Sequence, residues 1–133
     1  MHKRLVLAVV GTTLLVSSLT AWGFDGAPVR SDRAVFQVTT FATGLEHPWG
    51  AAFLPDGRLL VTERPGRMRV VDRDGRVSAP LGGVPPVEVG GWEGGLLDVA
   101  PAPDFAATRE IYFCHTALVP GGALTRLARA PVV

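Results

Sequence analysis

An all-β fold is predicted for this chain by three features of its sequence. Short apolar runs alternate with Gly, Pro and Asp-Gly reversals from residue 36 onward. No segment beyond residue 23 sustains apolar spacing of about 3.6 residues free of Pro and Gly. A short pattern, Leu54-Pro55-Asp56, returns as Ala102-Pro103-Asp104, each copy following a run of small and apolar residues.

The chain begins with a targeting pattern. Met1-His2-Lys3-Arg4 is a short basic start, Leu5 to Val16 is mostly apolar, and Ala21-Trp22-Gly23 sets small residues at a cleavage position. Residues 1–23 are read as a signal peptide, which implies a periplasmic or secreted product. A retained anchor is the alternative. Thr12, Thr13, Ser17 and Ser18 interrupt the apolar stretch, however, and it is short for a span of about 20 residues. After cleavage no stable membrane span is expected. Residues 24–35 read as a flexible segment and 36–133 as the folded part.

Within that part, Asp56-Gly57, Pro65-Gly66 and Asp74-Gly75 mark reversals, because Gly supplies the positive φ that tight turns between twisted strands demand. The runs between them predict four strands, Gly50–Leu54, Leu59–Glu63, Met68–Asp72 and Val77–Leu81, in an antiparallel meander. A longer connection follows through Pro85-Pro86 and Gly90 to Gly95. Leu96–Ala100, Glu110–Leu118 and Thr125–Ala130 predict three more strands. The two copies of the short pattern lie 48 residues apart, inside the period of about 40–50 residues of four-stranded propeller blades. A β-sandwich or barrel piece has the same strand rhythm. The propeller is favoured because a lone four-stranded sheet leaves apolar faces and edges open unless neighbouring blades cover them.

Charge excludes some partners. The chain carries 13 Lys and Arg against 12 Asp and Glu; without Lys3 and Arg4 the balance is 11 to 12, a formal charge of about −1. The arginines are scattered singly and no base-stacking motif accompanies them, so no nucleic acid is expected as a partner. Cys114 is the only cysteine. No internal disulfide is therefore possible, and Cys114 is expected to be a buried strand thiol.

Among chemistry-bearing residues, Gly90 to Gly95 fits neither G-x-G-x-x-G nor a P-loop, since no Lys-Ser or Lys-Thr follows. Its glycines permit unusual backbone angles and close approach by another group. Trp92 and Glu93 project from this stretch. An aromatic plane beside a carboxylate suits a sugar, the ring covering C–H faces and the carboxylate accepting from hydroxyls. A tight turn between blades, with Trp92 packed and Glu93 in solvent, is the competing reading. His47 and His115 have no supporting His-x-x-x-His, Cys-x-x-Cys or acidic cage and are read as structural. Thr62-Glu63-Arg64 reads as a surface or inter-strand charge pair. No Ser sits in a nucleophile elbow.

Several ordered blocks resemble the soluble pyrroloquinoline quinone (PQQ)-dependent sugar dehydrogenases, the glucose/sorbosone or aldose sugar dehydrogenases. They are Gly44-Leu45-Glu46-His47-Pro48-Trp49-Gly50, the stretch from Ala52 to Gly66, Gly83-Val84-Pro85-Pro86-Val87, Gly94 to Ala100, and Ala102-Pro103-Asp104-Phe105. The resemblance implies a six-bladed β-propeller, of which this chain supplies blade one and part of blade two. It also implies oxidation of an aldose sugar at C1 in the periplasm, with hydride passing to PQQ, calcium polarising the quinone, and a separate electron acceptor. The family's base and its PQQ and calcium ligands are expected beyond these residues, so no catalytic, cofactor-binding or metal residue is assigned here. Glu93 stands where the family often has a sugar-facing Gln, and Glu93 and Trp92 are the substrate-lining candidates. A Gln donates and accepts, whereas an ionised Glu only accepts. By itself the chain is expected to be an inactive N-terminal fragment that binds neither PQQ nor calcium. A secreted propeller-type module binding carbohydrate or protein, or a vestigial product that does not fold, are the alternatives.

Overall fold

The computed structural model describes residues 26–90 and 93–132. The expected signal peptide and Trp92 lie outside them. The chain divides into two compact units, Met1–Thr39 and Thr40–Val133. In the described part of the first, β1 (Val29–Arg30) pairs antiparallel with β2 (Val35–Phe36). Ser31 closes this hairpin by accepting the Ala34 N–H on its hydroxyl at 3.1 Å.

The second unit holds two antiparallel sheets. One is β3 (Pro48–Phe53), β4 (Leu59–Glu63) and β5 (Arg67–Val71) in that order; the other is β6 (Leu96–Pro101), β7 (Glu110–Val119) and β8 (Gly122–Pro131). A four-residue helix, α1 (Phe105–Thr108), lies between β6 and β7. Each sequence-predicted reversal is present, with Gly57 at φ 83°, Gly66 at 106° and Gly75 at 81°. At Gly75 the need is also steric, because a Cβ there would run into the Phe41 carbonyl.

The weak repeat is a structural one. β3 and β6 have the same length and the same offset of 48 residues, and each carries an irregularity in its pairing at the same place, between Pro48 and Ala51 and between Leu96 and Val99. Such bulges bend a strand and increase its twist.

The predicted fourth strand, Val77–Leu81, is corrected. Val77 forms a lone bridge with Val71, and the Ser78 and Leu81 N–H groups reach Val70 and Met68 carbonyls at 2.8 Å, but no ladder continues. The Ser78 hydroxyl takes the Val70 N–H at 3.0 Å in place of its carbonyl, which instead accepts from Arg69 Nε at 2.7 Å. Pro80 has no N–H to offer a ladder. Cys114 is also corrected from buried to half-buried, since it lies on the face of β7 opposite Phe113 and Ile111.

Leu54, Leu60, Met68, Leu96, Val99, Phe105, Ile111 and Phe113 form one core fed by both sheets and α1. Fully burying side chains such as Leu60 and Leu96 contributes about 1.5–3 kcal/mol each. The sheets meet closely at Gly50, where a Cβ would stand 2.8 Å from Asp98 Oδ1 and 2.9 Å from Asp98 Cα. Thr62 seals this contact. Its fully buried hydroxyl accepts the Gly50 N–H at 2.9 Å and donates to the Leu97 carbonyl at 2.6 Å, joining β3, β4 and β6.

Thr62→Val keeps the shape but strands a buried donor and a buried acceptor, and should cost about 2–3 kcal/mol. Urea denaturation monitored by fluorescence checks this: the midpoint should fall for Thr62→Val and recover most of the loss in Thr62→Ser.

Candidate functional site

The two sequence patches that open β3 and β6 come together through one residue's backbone. The Arg64 N–H donates to the His47 carbonyl at 2.9 Å, and the Arg64 carbonyl accepts the Leu96 N–H at 2.9 Å. Segments 46–48 and 94–96 are thereby fixed to the same end of the two sheets. This explains the paired glycines before β6. Gly95 has φ 139°, and a Cβ on it would strike the Arg64 carbonyl. A Cβ on Gly94 would stand 2.6 Å from the carbonyls of Glu88 and Gly90. On the other flank, the Thr116 N–H donates to the Gly95 carbonyl at 2.9 Å, and the Gly95 N–H reaches the Thr116 hydroxyl at 3.3 Å. The glycines thus serve backbone packing, as close approach requires.

Glu93 stands immediately before this clamped backbone and is exposed. Its carboxylate makes no hydrogen bond or ion pair with another described residue, so it is a free acceptor at the entry to β6. Trp92, its proposed partner, is outside the described residues. His47 is exposed and holds a left-handed backbone, φ 47°, uncommon for a residue with a Cβ. Its carbonyl is what Arg64 uses. His115 is 6% exposed in β7 and packs against Phe113 with ring centroids 5.9 Å apart. Among the described residues no three His, Cys, Asp or Glu side chains gather as a metal-binding group.

Of the two readings of the charge pair at Thr62-Glu63-Arg64, the inter-strand one holds, Glu63 of β4 pairing with Arg67 of β5, and the surface one is corrected. Glu63 has no exposed surface, and its carboxylate accepts from the Glu46 N–H at 2.5 Å and from Arg67 Nε at 2.7 Å, with Arg69 at 3.4 Å. Arg67 reaches on to the Glu46 carboxylate at 2.7 Å. Burial pushes the Glu63 carboxyl up, but the Arg67 hydrogen bond, the Glu46 N–H and the charges of Arg67 and Arg69 outweigh it and hold the group below the usual glutamate range. Sequence reasoning missed this network. Its signal was available: Glu63 alternates with the buried Val61 on one strand face, and Arg67 faces it across a short turn. The network fixes Glu46 and so the entry to β3.

Repeated antiparallel sheets, a shared core and a glycine-packed junction between their leading strands define an all-β chain of the β-propeller class. The family model described as Glucose / Sorbosone dehydrogenase matches residues 45–132, and the chain belongs to that family. It is 45% identical over 84 residues to the aldose sugar dehydrogenase YliI of Escherichia coli, covering 62% of this chain and 22% of that protein. It is 40% identical over 110 residues to an uncharacterized Synechocystis protein, covering 77% of this chain and 26% of that one. The PQQ-bound aldose sugar dehydrogenase of Streptomyces coelicolor superposes with a TM-score of 0.60 at 39% identity, over 70% of this chain and 28% of its own. The chain therefore spans about a quarter of the length of these relatives.

Glu63 gives a pH test. Its folded pKa lies below the ordinary value of 4.5, so the stability it contributes is present above that pH and is lost as pH falls through the folded value. Thermal melts from pH 6 down to about pH 3 should show a steep decline in the native chain and a shallower one in Glu63→Gln, which should also lose about 2 kcal/mol at neutral pH.

Proposed function

We propose that this chain forms the first blade and part of the second in a six-bladed, PQQ-dependent aldose sugar dehydrogenase, exported to the periplasm by residues 1–23. The match of the family model across residues 45–132 carries this reading. The doubled sheet with its offset of 48 residues supports it as propeller architecture.

In this reading Glu93 lines the sugar site with Trp92 beside it. The clamped backbone at Gly94 to Leu96 fixes where the carboxylate stands, and the carboxylate accepts hydrogen bonds from sugar hydroxyls. PQQ, with calcium, supplies the hydride acceptor, and an external electron acceptor reoxidises it. Among the described residues no three His, Cys, Asp or Glu side chains gather to hold a metal, and no residue of this chain is assigned to either cofactor. The chain's own contribution is substrate contact and the support behind it.

Two measurements test the proposal. The purified chain supplied with PQQ and calcium should not oxidise glucose above background; measurable turnover would contradict it. In a longer protein carrying this segment, Glu93→Gln should change the sugar KM or preference about tenfold, as one altered hydrogen bond to substrate does, and leave PQQ affinity alone.

A further inference from the structure

Because the two sheets are internal copies, each ladder position in one has a counterpart in the other. Glu63 stands opposite Pro48 of β3 and Arg67 of β5. His115 stands opposite Leu96 of β6 and Arg126 of β8. Pro48 and Leu96 are related by the offset of 48 residues, so His115 takes the place of Glu63 and Arg126 that of Arg67.

The two places differ in one chemical group. In the first sheet a buried carboxylate sits against the arginine, 2.7 Å from Arg67 Nε. In the second the carboxylate is missing. His115 is 6% exposed and its Nδ1 is buried without a partner. Arg126 makes no ion pair or side-chain hydrogen bond with a described residue. Both line a cavity of about 340 Å³ whose other walls include Pro86, Val87, Glu88 and Leu118. That volume lies in the range that holds small organic molecules. Glu88 also lines the cavity but makes no ion pair with Arg126; its Oε1 accepts the Gly90 N–H at 2.6 Å.

We propose that this cavity binds a small organic carboxylate, seated against Arg126 and His115 as the Glu63 carboxylate is seated against Arg67, with its carbon chain against Pro86, Val87 and Leu118. A guanidinium presents parallel N–H donors that match both carboxylate oxygens. The imidazole, otherwise left with an unpaired nitrogen, gains an acceptor for an Nδ1–H at the same group. The apolar walls favour a ligand with a short alkyl chain over a bare inorganic anion. This site is separate from Glu93 and does not rest on the proposed reaction.

The test is an NMR titration of the ¹⁵N-labelled full chain with sodium butyrate and sodium acetate, against sodium chloride at equal ionic strength. Saturating shifts of the amides around His115 and Arg126 are expected with the carboxylates, tighter for butyrate, and none with chloride. Arg126→Gln, an exposed position, should weaken binding about tenfold. His115→Glu, which supplies the missing carboxylate from the chain itself, should abolish it. Non-saturating shifts, an equal response to chloride, or undiminished binding by Arg126→Gln would each overturn the proposal. If His115→Glu does not fold, the Arg126→Gln titration alone decides.

Discussion

Everything in the larger unit depends on how closely β3 approaches β6. At Gly50 there is no room for a methyl group against Asp98, and this closeness lets the Thr62 hydroxyl reach the Leu97 carbonyl while it holds the Gly50 N–H. The contact is polar, buried and fully satisfied, which makes it costly to disturb and specific in geometry. Apolar burial by Leu60, Leu96 and their neighbours stabilises the pair of sheets; the Thr62 junction sets their register.

From that junction the end that carries Glu93 follows by backbone geometry. With β3 and β6 in contact, Arg64 can hydrogen-bond to His47 on one side and Leu96 on the other, and Gly95 is required where its carbonyl intrudes. The buried Glu63 network secures Glu46 at the start of β3. Glu93 needs no rigid partner of its own. It is placed by the segment that follows it, which is held from both flanks by Arg64 and Thr116.

The sequence made the turns and most of the strands legible, because Asp-Gly and Pro-Gly reversals leave few backbone alternatives and the apolar runs between them alternate faces. The segment Val77–Leu81 was misread for a physical reason: Ser78 substitutes its hydroxyl for a ladder carbonyl, and Pro80 removes a donor. The repeat was visible only as Leu-Pro-Asp against Ala-Pro-Asp, although it extends to matched bulges, because backbone irregularities leave little trace in residue type. The glycines before Leu96 signalled close approach but not to what; the answer, Arg64, lies 31 positions earlier. For Glu63 the inter-strand reading holds and the surface one does not: Arg67 across the short turn is legible locally, whereas the Arg69 and Glu46 N–H contacts that converge on the same carboxylate are not.

The most direct test of the central claim is a crystal structure of a full-length protein carrying this segment, solved with an aldose bound. The account predicts the Glu93 carboxylate at hydrogen-bond distance from a sugar hydroxyl, with Arg64 still joining His47 to Leu96. A sugar bound elsewhere, with Glu93 turned to solvent, would contradict it and leave the glycine-flanked patch a turn between blades.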